Sequence, residues 1–322
     1  MKRIGILTSG GDAPGMNACI RAAVRTSLAR DIPIMGINRG YSGLINDDVL
    51  PLERREVANI IHLGGTILGT SRSEEFKTGQ GRQKAIATLE RHGIDGLIVI
   101  GGEGSFQGGS LLQEEGGIKI QGIPGTIDND VYGTDQTVGF DTAVNCALEA
   151  IDRIRDTAVS HERLFFIEVM GRNTGFIALE SGISGGAEEL IIPEEPMDTD
   201  ELCSRLKKSF GLGKKSAIVV VSEDGRPGHS VDLAQDVEKN TGFETKVCIL
   251  GHLQRGGSPT ARDRILASKL GVAAADALSQ DKSGSMPGEI QGRIVFTPLH
   301  QTWERKKNLN PELKDLLSVL CD

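Results

Sequence analysis

Ile4-Gly5-Ile6-Leu7-Thr8-Ser9-Gly10-Gly11-Asp12-Ala13-Pro14-Gly15-Met16-Asn17 is the stretch on which the fold turns. Ile4 to Leu7 is a short apolar run of strand length, and a glycine-rich turn follows it. From Met16 to about Arg30, Ile20, Ala23, Val24, Ser27 and Leu28 recur at helical spacing on one inner face. A strand that passes through glycines straight into a helix lets backbone N–H groups approach an anion, and the helix N-terminus adds favourable partial charge. The turn is neither a Walker A loop nor G-x-G-x-x-G, so a tight strand-to-helix turn with no ligand stays open on spacing alone.

The same alternation continues outward from this unit. Ile32 to Ile37, Leu97 to Ile100, Ile118 to Ile123, Leu164 to Met170, Ala217 to Val221 and Val247 to Leu250 read as strands, mostly buried on both faces. A helix opens at Asp141, read as its N-cap, and continues through Val144, Leu148, Ile151 and Ile154. Another follows Thr260, with Ile265, Leu266 and Leu270 expected inward. Strand–helix alternation predicts parallel sheets covered by helices, an α/β fold. At 322 residues the chain has room for about two domains. The two sets of elements, before and after residue 140, predict two α/β lobes, with ligands beyond the carboxyl ends of the strands.

Composition narrows the function classes. A formal charge of −8 speaks against a nucleic-acid or membrane-surface partner, and 4% aromatic residues speak against base-stacking platforms. Cys19, Cys146, Cys203, Cys248 and Cys321 are scattered, with no C-x-x-C and no His at zinc spacing. They read as reduced core thiols of a cytoplasmic protein. The apolar run after Met1 is too short for a signal peptide, and no run approaches a membrane span.

Gly125-Thr126-Ile127-Asp128-Asn129-Asp130 closes the run Ile120 to Pro124. Period-2 geometry would put Asp128 and Asp130 on one side of an extended segment, beside the Thr126 hydroxyl. Such a pair suits a general base with its metal partner or a metal-binding pair; an acidic turn is the alternative. Gly101-Gly102-Glu103-Gly104-Ser105 surrounds one carboxylate with glycines, which suits a phosphate nest with Glu103 handling a hydrated cation, Mg²⁺ being the expected ion. Cationic residues gather around later strands, in Arg163, Met170-Gly171-Arg172 and His252-Leu253-Gln254-Arg255. Several Arg and one His at successive strand ends are better explained by a phosphorylated substrate than by scattered surface charge.

T-S-G-G-D-A-P-G-M-N, G-T-S-R-S, G-G-E-G-S, P-G-T-I-D-N-D, V-M-G-R and G-H-L-Q-R-G-G-S-P, in that order, resemble bacterial ATP-dependent 6-phosphofructokinases from Lys2 to about Leu278. The resemblance implies two Rossmann-like three-layer lobes with mostly parallel sheets and the active site in the cleft between them. Residues 1–139 plus 254–304 would form the ATP lobe, and 140–253 plus 305–322 the fructose 6-phosphate lobe. It implies Asp128 as the base that deprotonates the sugar 1-hydroxyl, with Thr126 and Asp130 in support and Arg172 stabilising developing charge. Gly11 would cover the γ-phosphate and Arg72 would contact the nucleotide phosphates. Tyr41, Ser73, Phe76, Lys77 and Gly102 to Ser105 (Gly102, Glu103, Gly104, Ser105) match the other ATP-side positions, with Glu103 toward Mg²⁺. The sugar phosphate would be held by His252 and Arg255, with Arg163 and Lys246 reaching in from a neighbouring subunit of a homotetramer. Ile127, Met170, Gly171, Glu223, Leu253 and Gln254 complete the substrate side.

Arg21, Arg25, Arg54, Arg155, Gly186, Glu188, Lys214 and Lys215 match the family's ADP and phosphoenolpyruvate effector positions. Leu212 and Ser216 stand where well-regulated relatives carry Arg and His. Glu103 stands where the family carries Asp, and Lys246 where it commonly carries Arg. Pyrophosphate-using relatives carry an Asp directly after the motif acid and a Lys before the Thr of T-I-D-N-D; this chain has Gly104 and Gly125, which favours ATP. A pyrophosphate-dependent enzyme, or a weakly active regulatory paralogue because of Glu103, are the competing readings.

Overall fold

The computed structural model describes residues 1–320; the expectation for Cys321 lies outside them. The elements run β1 (Ile4–Thr8), α1 (Met16–Ala29), β2 (Ile34–Ile37), α2 (Tyr41–Ile45), β3 (Val49–Leu52), α3 (Gly79–Arg91), β4 (Gly96–Gly101), α4 (Glu103–Gly116), β5 (Lys119–Pro124) and α5 (Phe140–His161). There follow β6 (Leu164–Val169), α6 (Phe176–Gly185), β7 (Glu189–Ile191), α7 (Thr199–Gly211), β8 (Ala217–Ser222), α8 (His229–Thr241) and β9 (Thr245–Ile249). The chain ends with α9 (Ala261–Ser279), β10 (Ser285–Ile290), β11 (Arg293–Pro298), α10 (Gln301–Glu304) and α11 (Pro311–Leu320). None of the described helices is long and apolar enough to cross a membrane.

Contacts divide the chain into two compact units, Met1–Thr142 with Arg255–Lys307, and Ala143–Gln254 with the tail from Asn308. The first holds a seven-stranded sheet of order β11-β10-β5-β4-β1-β2-β3. Its five inner strands run parallel, and β11 and β3 pair antiparallel at the two edges. Both β1 and β4 are buried along their whole length, as expected of strands covered by helices on both faces. Leu7, Val99, Ile120, Phe106 and Leu44 belong to one core cluster of this unit. The second unit holds a parallel four-stranded sheet, β7-β8-β6-β9, with a core around Phe166, Val219, Leu202 and Val237.

Several local expectations are corrected. The second strand begins at Ile34 rather than Ile32, because Pro33 has no N–H to give the ladder, although its carbonyl accepts from Ile4. The strand expected to be buried over Val247 to Leu250 is β9, an edge strand that is only half-buried. Leu266 and Leu270 of α9 do point inward, but Ile265 is 59% exposed, about one helical step off that face. Asp141 sits inside the first turn of α5 rather than before it.

The start of α5 is capped from elsewhere. The buried Asp263 carboxylate of α9 accepts from the N–H groups of Gly139 and Thr142, both at 2.8 Å, and from the Thr142 hydroxyl. Thr260 caps α9 in turn, accepting from Asp263 N–H at 3.2 Å while its hydroxyl donates to Asp141 at 2.6 Å. The two helix starts therefore cap each other.

Candidate active site

In the first sheet β1 lies between β2 and β4, so the loops after β1 and β4 diverge from a topological switch point. The loop after β5 lies next to them. Backbone bonds join the three: Ser9 N–H to Ile100 O at 2.9 Å, and Gly125 N–H to Gly101 O at 3.0 Å. Gly10 (φ +89°) faces the Ser105 hydroxyl, and the Thr70 hydroxyl ties the segment bearing Arg72 and Ser73 to Gly10 O at 2.7 Å. A Cβ on Gly11 would stand 2.4 Å from Nη1 of Arg255, which donates to Asp12 O at 3.0 Å. A side chain there would make the flexible guanidinium shift, so Gly11 allows the close approach of Arg255.

Glu103 is not a loop acid. It opens α4 after Gly102, and Glu103, Gly104 and Ser105 form the first helical turn. That places the carboxylate and first-turn N–H groups at the positive end of a helix. A Cβ built at Gly102 or Gly104 meets nothing within 4 Å, which leaves open space over the helix start. The Tyr41 hydroxyl donates to Ser105 O and its ring stacks on Phe76 at 4.0 Å between centroids. Burial pushes the Tyr41 hydroxyl's pKa upward. Both residues are almost wholly buried, so they brace the start of α4. Lys77 is exposed and pairs with Glu74 at 2.8 Å.

The acidic pair is a turn, not an extended segment. The ladder stops at Pro124, and Asn129 takes φ +56°, so period-2 geometry does not relate Asp128 to Asp130. The Thr126 hydroxyl accepts from Asp128 N–H at 3.2 Å and donates to its carboxylate at 3.3 Å. Asn129 is buried and its Oδ1 accepts from Thr137 N–H at 2.9 Å, while the Thr137 hydroxyl donates to Thr126 O at 2.6 Å. Ile127 is fully buried beneath the turn. Asn129 and Thr137 were missed as supporting residues; the one sequence signal was an Asn between two acids, a residue type that tolerates the left-handed region.

Gly125 answers to its own core. A Cβ there would lie 2.9 Å from Ile100 Cγ2 and 3.2 Å from Met16 Cε. We predict that Gly125→Ala costs about 1–3 kcal/mol by overpacking, read by chemical denaturation. Gly104→Asp, in open space, should leave stability within about 0.5 kcal/mol. Equal losses in both would contradict this contrast.

In the second unit the loops after β6 and β8 and the segment after β9 carry the other candidates. Gly171 (φ +156°) could not take a Cβ, which would lie 2.3 Å from Thr174 O. Arg172, exposed, has φ +61°, a conformation uncommon outside glycine and worth noting at a candidate site. Its carbonyl accepts from Gly225 N–H, and Glu223 N–H bonds Val169 O at 3.0 Å. The fully buried Gln254 accepts from Met170 N–H at 3.3 Å, while His252 and Leu253 stay exposed.

Arg163 and Lys246 lie elsewhere, beside the N-terminal ends of β6 and β9. Both bond Glu244, at 3.1 and 2.9 Å, and these bonds draw the Glu244 carboxyl below its ordinary range. Six residues of β6 separate Arg163 from Met170 and Arg172, roughly 20 Å of strand. The strands thus keep the two cationic groups at opposite ends.

Of the effector candidates, Arg155, Gly186, Glu188 and Lys214 come together. Arg155 bonds Gly186 O at 2.5 Å, and Glu188 lies 3.6 Å from Arg155 and 3.8 Å from Lys214, beside a hollow lined also by Gly182, Ile183 and Ala187. Lys215 instead pairs with Glu162 at 2.7 Å. Arg21 and Arg25 are half-buried on α1, and Arg54 is exposed, all in the first unit.

The fold and these loops describe an α/β protein built to hold phosphates at switch points. Residues 3–278 match the family described as Phosphofructokinase, and the chain belongs to it. It is 57% identical over 321 residues to "ATP-dependent 6-phosphofructokinase 1" of Thermus thermophilus, covering 100% of both chains. It is 50% identical to the ATP-dependent 6-phosphofructokinase of Bacillus licheniformis, covering 99% of each. A solved phosphofructokinase structure from Saccharomyces cerevisiae superposes with a TM-score of 0.87 at 33% identity over 99% of this chain; the chain spans 46% of that longer one.

Proposed function

We propose that this protein is an ATP-dependent 6-phosphofructokinase, transferring the γ-phosphoryl of ATP to the 1-hydroxyl of fructose 6-phosphate. The full-length likeness to enzymes of that name supports it. The observation in this chain that carries it is the convergence of the Gly10–Gly11 loop, the α4 start and the Asp128 turn on three adjacent strand ends. In this reading Asp128 takes the proton from the 1-hydroxyl as its oxygen bonds the γ-phosphorus. The bond to the β–γ bridging oxygen breaks, leaving ADP. Such transfer asks mainly for positioning and charge neutralisation. Arg172 and the N–H groups around Gly11 and α4 serve the second need, and the Thr126 hydroxyl orients the base.

The donor set suits Mg²⁺ shared with a nucleotide. Among the described residues no group of three or more His, Cys, Asp or Glu could hold a metal alone, whereas one carboxylate, Glu103, stands in the first turn of α4 between two glycines with open space beside them. When bound, Mg²⁺ would neutralise phosphate charge; Glu103 is the residue that would hold it. Glu103→Asp should shift the Mg²⁺ titration midpoint of the rate; an unchanged titration and rate would remove Glu103 from this role.

The opposite placement of Arg163 with Lys246 and of Met170–Arg172 supports a sugar-phosphate site completed by a second copy of the chain, in a tetramer of the family type. The Arg155–Glu188–Lys214 cluster is the proposed effector site for ADP or phosphoenolpyruvate. A cytoplasmic enzyme suits the four described cysteines, all free. Release of ADP that requires both fructose 6-phosphate and Mg-ATP is the expected assay result. ADP release independent of the sugar phosphate would refute the reading.

A further inference from the structure

Lys307 lies after α10, beyond the residues that match the family, and no motif gave it a role. Its ammonium donates to Asn129 Oδ1 at 2.8 Å and to Asp135 O at 2.7 Å. Asn129 is 2% exposed, stands between Asp128 and Asp130, and holds the positive φ that turns the chain there. Two residues upstream, Arg305 donates to the Tyr132 hydroxyl at 2.8 Å, its guanidinium carbon 5.2 Å from that ring's centroid. The segment 305–307 is thus strapped at two points onto the loop that carries both acids. One point, Arg305, meets Tyr132, two residues past Asp130. The other reaches the turn itself and brings a positive charge to it.

We infer that Lys307 is a positioning residue for the reaction centre, its ammonium fixing the Asn129 turn that aims Asp128 and Asp130. The inference rests on Asp128 being the base. A carboxylate aimed by a turn is sensitive to small displacements, since about 1 Å can cost on the order of a hundredfold in rate. In the proposed reading the phosphates of nucleotide and sugar are held by groups outside this turn, so the loss should fall on kcat.

The test is steady-state kinetics on the full-length oligomer carrying Lys307→Met, Lys307→Arg or Arg305→Met. Lys307→Met is expected to lower kcat about ten- to a hundredfold, with KM for both substrates within about twofold. Lys307→Arg should restore most of the rate, and Arg305→Met should leave kcat near wild type. An unchanged kcat in Lys307→Met, a loss confined to KM, or an equal kcat loss in Arg305→Met would overturn the inference; the last would mean that the segment matters only as an anchor. Should Lys307→Met not fold, Lys307→Gln, which keeps an amide donor without the charge, reads the same split. Asp128→Ser run in parallel separates the two claims. If it keeps its rate, the base assignment fails; if it loses rate while Lys307→Met does not, only the role of Lys307 fails.

Discussion

Asp128→Ser is expected to lower kcat by about two to four orders of magnitude, the usual worth of a general base. KM for fructose 6-phosphate and ATP should stay near wild type. The carboxylate is 6% exposed and its backbone N–H is tied to Thr126, so its direction is fixed before any substrate arrives. A serine at that position keeps the turn, because the N–H bond to Thr126 and the Asn129 contacts are untouched, but it cannot accept the proton at neutral pH. Stopped kinetics with unchanged thermal unfolding would separate lost chemistry from lost structure. A variant that retained most of its kcat would remove Asp128 from the base role.

Asp263→Ala should produce the largest loss of stability among the substitutions considered, about 2–4 kcal/mol. It would strip the acceptor from the N–H groups of Gly139 and Thr142, which are buried. The residue itself is 1% exposed, so water cannot easily replace the carboxylate. The pH dependence has a definite sign. Burial raises the Asp263 carboxyl above its ordinary value, against the bonds from Thr142 and Gly139 that lower it. Its linkage contribution is therefore fully present below the unfolded carboxylate pKa and is lost as pH rises through the raised folded value. Asp263→Asn removes that component. Thermal unfolding of wild type and Asp263→Asn between pH 4 and 7 should differ in slope with this sign, and parallel curves would contradict it.

How much was legible follows from how local each signal was. The β1 turn and α1 were readable because Gly15 and the periodic apolar face lie within one contiguous stretch. Likewise, β4, β5, β6 and β8 announced themselves as apolar runs bounded by turn residues. By contrast, β10 reads Ser285-Met286-Pro287-Gly288-Glu289-Ile290, where Pro and Gly argue against a strand, and its place beside β5 depends on pairing between distant segments. The cap on α5 came from a residue 121 positions away from Thr142, which no window along the chain could show.

The candidate site divides the same way. The types of residue at Thr126, Asp128 and Glu103 could be read, but their geometry could not. Asn129 bends the segment that period-2 reasoning had kept straight, and α4 already begins at Glu103, within the glycine-rich run. Glu244 and Lys307 carry no motif, and only the folded chain sets them against Arg163, Lys246 and Asn129. Gly104 and Gly125, alike as absences of a side chain, proved physically different: one opens to space and the other rests on Ile100.

The most direct test of the proposed reaction follows the transferred phosphoryl group by ³¹P NMR. Purified protein is given fructose 6-phosphate and Mg²⁺ with either ATP or pyrophosphate. The account predicts fructose 1,6-bisphosphate and ADP in equal amounts with ATP, and no bisphosphate with pyrophosphate. Bisphosphate formed from pyrophosphate but not from ATP, or from neither donor, would contradict it.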